Sequence, residues 1–170
     1  MACFRRSEFK RTVGQYCVLI AEDEALIAMS LSDLLAAEGY KVSIARDGVE
    51  ALAEVRRLGE GLDAVVTDLN MPRMSGEDLI CALHVQRPRL PVLVVTGSAP
   101  PGGLDELRRH GGGREPFALL HKPMDYADLV ETLGRAMLAK HPDELRSGKL
   151  PPAPDVVPAP TLAELPVRQD

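Results

Sequence analysis

The stretch Leu62-Asp63-Ala64-Val65-Val66-Thr67-Asp68-Leu69-Asn70-Met71-Pro72 constrains the fold more than any other part of the chain. It opens as an apolar run of strand-forming residues, the pattern of a strand buried on both faces, and Asn-Met-Pro breaks it directly after one carboxylate. Similar runs at 16–21, 90–95 and 117–121, and an alternating strand pattern at 41–45, take turns with helical patterns at 24–38, after Asp47, and at 79–85, 104–110 and 125–140. Strict alternation of strand and helix, with right-handed crossovers, predicts a doubly wound α/β fold. The sheet is expected to be parallel and five-stranded, in the order 2-1-3-4-5, with five helices.

Local signals support each helix. Ile27, Leu31, Leu34 and Leu35 fall at helical spacing, and Gly39 stops that helix. Asp47 is placed to cap the second, with Val49, Leu52, Ala53 and Val55 toward the sheet and Gly59 and Gly61 closing it. Ser75-Gly76-Glu77-Asp78 starts the third and Pro88 ends it, while Leu129, Leu133 and Met137 mark the inner face of the last. The fourth lies between Pro100-Pro101-Gly102-Gly103 and Gly111 to Gly113, so it has room for only about two turns and loose ends.

Four strands finish on polar groups. The first ends in Glu22-Asp23-Glu24, the third on Asp68, the fourth on Thr96 and the fifth on Lys122-Pro123. In an open parallel sheet, chemistry sits outside the carboxyl ends of the strands. A turn or cap aspartate explains Asp68 alone equally well; the whole set is harder to explain that way. Crowded carboxylates are tolerable beside a hard divalent cation with oxygen ligands, and Mg²⁺ suits one or two carboxylates plus phosphate. A metal on one side and a lysine on the other would clamp phosphoryl oxygens, a threonine hydroxyl would bond one of them, and a carboxylate is a competent nucleophile. An acyl phosphate on Asp68 would need this set.

With these residues in place, the chain resembles the receiver domain of the bacterial two-component response-regulator family, a flavodoxin-like fold. The matching residues are Glu22 and Asp23, Asp68 within Asp68-Leu69-Asn70-Met71-Pro72, Thr96, and Lys122-Pro123. Asp23, Asp68, Thr96 and Lys122 follow one another at intervals of 45, 28 and 26 residues. The resemblance covers residues 16–140. It implies phosphorylation of Asp68, with Mg²⁺ bound by Asp23, Asp68 and the Asn70 main-chain carbonyl, and Glu22 acting through water. It also implies Lys122 paired with the phosphate, a cis Lys122-Pro123 bond, and the fourth helix within the output face. The implied partners are a histidine kinase or histidine phosphotransfer protein and a downstream protein; a homodimer stays open. Such a domain catalyses only its own phosphotransfer and dephosphorylation. Three positions depart from the family pattern: Leu119 stands where an aromatic is usual, Gly97 where Ala is commoner, and Glu22 where Asp is commoner. The short fourth helix and Leu119 together suggest output through ordering of that helix rather than an aromatic switch.

Two other classes are weighed against this reading. A haloacid-dehalogenase-like phosphohydrolase would want a second Asp where Asn70 stands, and an unphosphorylated adaptor would have no need of Asp23, Asp68, Thr96 and Lys122 together. His121 reads as a strand-end histidine, not a relay residue. The net charge of −5 argues against nucleic acid as a partner. No apolar run suffices to span a bilayer and no secretory signal is legible, so the expected location is the cytoplasm. Cys3, Cys17 and Cys81 have no metal-ligand spacing and read as free thiols. Residues 1–15 read as a flexible basic extension. Residues 141–170, holding Pro142, Pro151, Pro152, Pro154, Pro158, Pro160 and Pro166, read as a mostly disordered tail.

Overall fold

The computed structural model describes residues 16–110 and 116–140. The basic extension, the Gly111 to Gly113 stretch and the Pro-rich tail expected from the sequence lie outside the described residues. The chain runs β1 (Cys17–Ala21), α1 (Ala25–Ala37), β2 (Lys41–Ala45), α2 (Gly48–Leu58), β3 (Leu62–Thr67), α3 (Gly76–Gln86), β4 (Val92–Thr96), α4 (Gly103–His110), β5 (Ala118–His121) and α5 (Tyr126–Lys140), with a short 3₁₀ turn at Gly59–Gly61. All strand pairs are parallel and the order is β2-β1-β3-β4-β5. The doubly wound sheet is therefore the one the alternation predicts.

The unbroken apolar runs are explained by two cores, one on each face of the sheet. Successive strand side chains point to opposite faces. Leu19, Val65 and Val94 join Ala51, Leu52 and Val55 of α2, Leu79 and Leu83 of α3 and Leu107 of α4. Val18, Ile20, Val66 and Leu93 join Leu31 and Leu35 of α1 and Leu129, Leu133 and Met137 of α5. Each fully buried Leu or Ile contributes about 1.5–3 kcal/mol, so both layers are needed to hold the strand ends in register.

Caps set the helix phases. Asp47 Oδ1 accepts the N–H groups of Val49 and Glu50 at 2.8 and 3.0 Å. Ser75 Oγ accepts the Asp78 N–H at 3.2 Å, which starts α3 at Gly76, earlier than the apolar residues alone indicate. Two expectations are corrected. Val49 is 47% exposed and Ala53 is also exposed, because the phase that buries Ala51, Leu52 and Val55 turns 49 and 53 outward. The alternation expected of β2 gives it no buried face: only Ala45 is buried and Ile44 is exposed, since as an edge strand it is covered less completely than its neighbours.

Candidate functional site

The polar strand ends meet at the carboxyl edge of the sheet. The ladder carries past β3 and β1 themselves: the Asp68 N–H donates to the Ala21 carbonyl and the Glu22 N–H to the Ala45 carbonyl, each at 3.0 Å. β4 ends on Thr96, and the Lys122 N–H beyond β5 donates to the Thr96 carbonyl at 2.9 Å. The Lys122-Pro123 peptide bond is cis.

Lys122 joins the set. Its Nζ lies 2.6 Å from Glu22 Oε2 and 2.7 Å from Asp68 Oδ2. Glu22, Asp68 and Thr96 are buried, with Asp68, at 8% exposure, the most open of the three. Asp68 Oδ1 accepts the N–H groups of Leu69 and Asn70 at 2.5 and 3.2 Å. Both oxygens of this carboxylate are thus held, one by backbone and one by an ammonium. The Thr67 hydroxyl donates to the carbonyl of Asp68 at 2.8 Å, and Thr96 Oγ1 accepts the Ser98 N–H at 3.3 Å.

Asp23 and Asn70 stand exposed at the mouth. Glu22, which the resemblance places near the metal through a water, accepts a hydrogen bond from Lys122 Nζ at 2.6 Å. Among the described residues no three His, Cys, Asp or Glu side chains form a cluster of the kind that holds a metal.

Burial is the largest influence on all three charged groups and disfavours each charge, but the neighbours answer it differently. At Asp68 the Lys122 ammonium, the Thr96 hydroxyl and the Asn70 N–H outweigh it, holding the carboxyl below its ordinary value. At Glu22 burial prevails over Lys122, with the Asp68 charge adding to it, and the carboxyl lies above its ordinary value. Lys122 gains more from Asp68 and Glu22 than burial takes away, so its ammonium is held above its ordinary value. Of the two acids, Asp68 is the one whose surroundings favour the ionised form.

Two long-range ties have partners that the sequence does not name. The cap on Asp47 is legible, but the bond from Arg73 Nε to Asp47 Oδ2 at 2.5 Å spans 26 residues, which no local rule covers. At the far edge, fully buried Asp63 accepts the Cys17 N–H at 2.9 Å and Lys140 Nζ at 3.2 Å. An acid inside an apolar run signals such a partner without saying which residue it is.

The sequence profile of the response regulator receiver domain matches residues 18–134, which include Glu22, Asp23, Asp68, Asn70, Thr96 and Lys122. The chain belongs to the response regulator receiver family. Transcriptional regulatory protein PdtaR of Mycobacterium tuberculosis (strain ATCC 25618 / H37Rv) is 39% identical over 123 residues, 71% of this chain and 56% of that protein. Sensor kinase CckA of Brucella abortus is 35% identical over 127 residues, 75% of this chain and 13% of that protein. The chain thus spans only part of either relative. Among solved structures, chemotaxis response regulator CheY4 of Vibrio cholerae superposes with a TM-score of 0.61 at 31% identity, covering 72% of this chain and 98% of that one. A response regulator receiver domain protein from Clostridium thermocellum superposes at 0.67 with 26% identity, covering 74% and 96%. Among the described residues no helix of this receiver is long and apolar enough to cross a membrane.

Proposed function

We propose that this receiver domain accepts a phosphoryl group on Asp68 from a histidine kinase or a histidine phosphotransfer protein, and passes the signal on by protein contact. The observation that carries the reading is the state of Asp68: a carboxylate at a strand mouth, kept ionised, fixed by backbone N–H groups on one oxygen and by Lys122 on the other. An Asp68 oxygen attacks phosphorus as the donor's N–P bond breaks, and the histidine nitrogen keeps the electron pair of that bond. Lys122 is then placed to face the phosphoryl oxygens and Thr96 to offer its hydroxyl.

The oxygen donors suit a hard cation. Glu22 and Asp68 bring two carboxylates against the single ammonium of Lys122, Asp23 stands exposed beside them in the chain, and this excess of acid supports a reading in which Mg²⁺ is held by Asp23, Asp68 and the Asn70 carbonyl. When bound, Mg²⁺ would neutralise charge developing on the phosphoryl oxygens. On this reading the protein is a cytoplasmic signalling switch and not a turnover enzyme.

A small acyl-phosphate donor with MgCl₂ tests it by intact mass. The expected result is one phosphoryl group per chain, absent in Asp68→Asn, whose amide cannot attack phosphorus. Catalytic consumption of the donor with no labelled protein would point to a phosphohydrolase, and neither label nor consumption to an adaptor.

A further inference from the structure

The loop leaving the acceptor strand is pinned at three places. At its end, the Gly76 N–H donates to the Leu69 carbonyl at 2.9 Å, and any Cβ on Gly76 would collide with the Asp68 carbonyl oxygen. In its middle, the Met74 carbonyl accepts the Gly48 N–H at 3.1 Å, and any Cβ on Gly48 would collide with the Met74 side chain. The third pin is Arg73. Its Nε bonds Asp47 Oδ2 at 2.5 Å and its Nη2 bonds Glu50 Oε1 at 2.9 Å, tying the loop to the first turn of α2.

Two facts make Arg73 more than a surface ion pair. It is the one non-glycine residue with positive φ among the described residues, at 61°, a backbone region disfavoured for a side chain with a Cβ. Its anchor is also rigid: Asp47 is buried, and its other oxygen is already committed to capping α2. The loop held this way begins with the Leu69 and Asn70 N–H groups that fix Asp68 Oδ1.

We propose that Arg73 is a positioning residue for acyl-phosphate formation: its fork on Asp47 and Glu50 fixes the loop against α2 and so holds the Leu69 and Asn70 backbone at the Asp68 carboxylate. This rests on Asp68 being the phosphoacceptor. Arg73 touches neither Asp68 nor the incoming phosphoryl group; it acts through three residues of backbone. Its side chain is 54% exposed and its Glu50 partner 46%, and the buried Asp47 carboxylate keeps its two N–H donors when the guanidinium is gone, so the loss of Arg73 should cost global stability little. Its loss should therefore appear in the local geometry and the labelling rate, with the unfolding midpoint nearly unmoved.

The test compares the full chain with Arg73→Ala, Arg73→Lys, Asp47→Asn and the Arg73→Ala/Asp47→Asn double variant. Asn still caps a helix, so Asp47→Asn removes the charge and keeps α2. The readouts are the labelling rate with a small acyl-phosphate donor and MgCl₂, the thermal midpoint, and amide exchange at Leu69 and Asn70 without donor. Arg73→Ala should slow labelling by about tenfold, speed exchange at both amides and barely move the midpoint. Arg73→Lys should recover part of the rate, and the double variant should be no slower than the slower single one. A labelling rate within about twofold of the parent, independent multiplying effects in the double variant, or a rate loss matched by a falling midpoint would each overturn the proposal. If the parent takes no label, the acceptor reading fails by itself, and the exchange measurement still decides whether Arg73 holds the loop: unchanged exchange overturns that too.

Discussion

Glu22 and Asp68 share one ammonium, and their unequal surroundings give the site its pH behaviour. The Asp68 carboxyl lies below its ordinary value, so its contribution to stability is present above the unfolded-state value and is lost as pH falls through the folded-state value. Glu22 is the reverse: its raised carboxyl favours the fold below the unfolded-state value, and that contribution is lost as pH rises through the folded-state value. Lys122, raised as well, contributes fully below the ordinary lysine value and loses this only as pH climbs through its higher folded value. Lys122→Met leaves both carboxylates without the cation that opposes burial. It should cost about 2–4 kcal/mol near neutral pH, and the deficit should shrink by about pH 4, where both acids can take up protons. Denaturant titrations of the two proteins at both pH values check this; a deficit as large in acid would contradict the charge assignment. The four polar strand ends were legible because each breaks an apolar run. The sharing of Lys122 between Glu22 and Asp68 was not, since 100 and 54 residues separate the partners and only the strand order brings them together.

Of the five α-helices among the described residues, α4 is the shortest. It spans eight residues, Leu107 is its one fully buried apolar side chain, and Leu104 is 36% exposed. An isolated helix of that length is marginal, so modest contact changes can order or release it. Leu119 of β5 packs partly buried in the same layer as Leu107, and an aliphatic side chain there offers no hydroxyl to exchange between interior and solvent. A beryllofluoride phosphate mimic should accordingly change amide protection across residues 97–110 more than across α1. Equal change in the two segments, or none in the first, would place the output surface elsewhere. Helix positions were legible from period and caps, but the buried stripe of α2 was not. Val49 and Ala53 are apolar enough to suggest the inner face, and only the phase set by Asp47 together with the packing on β1 and β2 turns them out.

Across the whole molecule, the two ends of the sheet do different work. At the carboxyl end, Asp68 keeps its charge at a solvent-facing mouth. At the amino end, Asp63 is fully buried and tied to the Cys17 backbone and to Lys140, the last residue of α5, which clamps that helix beneath β3. Lys140→Met should lower unfolding stability by about 1–3 kcal/mol, because a buried carboxylate loses an ammonium, while Asp68 labels at the parental rate. A labelling defect of similar size would show that the two ends are coupled. The central claim is that Asp68 itself carries the phosphoryl group, and covalent trapping tests it most directly. Borohydride reduces an aspartyl phosphate to homoserine, so protein treated with an acyl-phosphate donor and Mg²⁺, reduced and digested, should yield homoserine at position 68 and at no other aspartate. Homoserine at Asp23 or elsewhere, or a labelled protein that yields none, would contradict it.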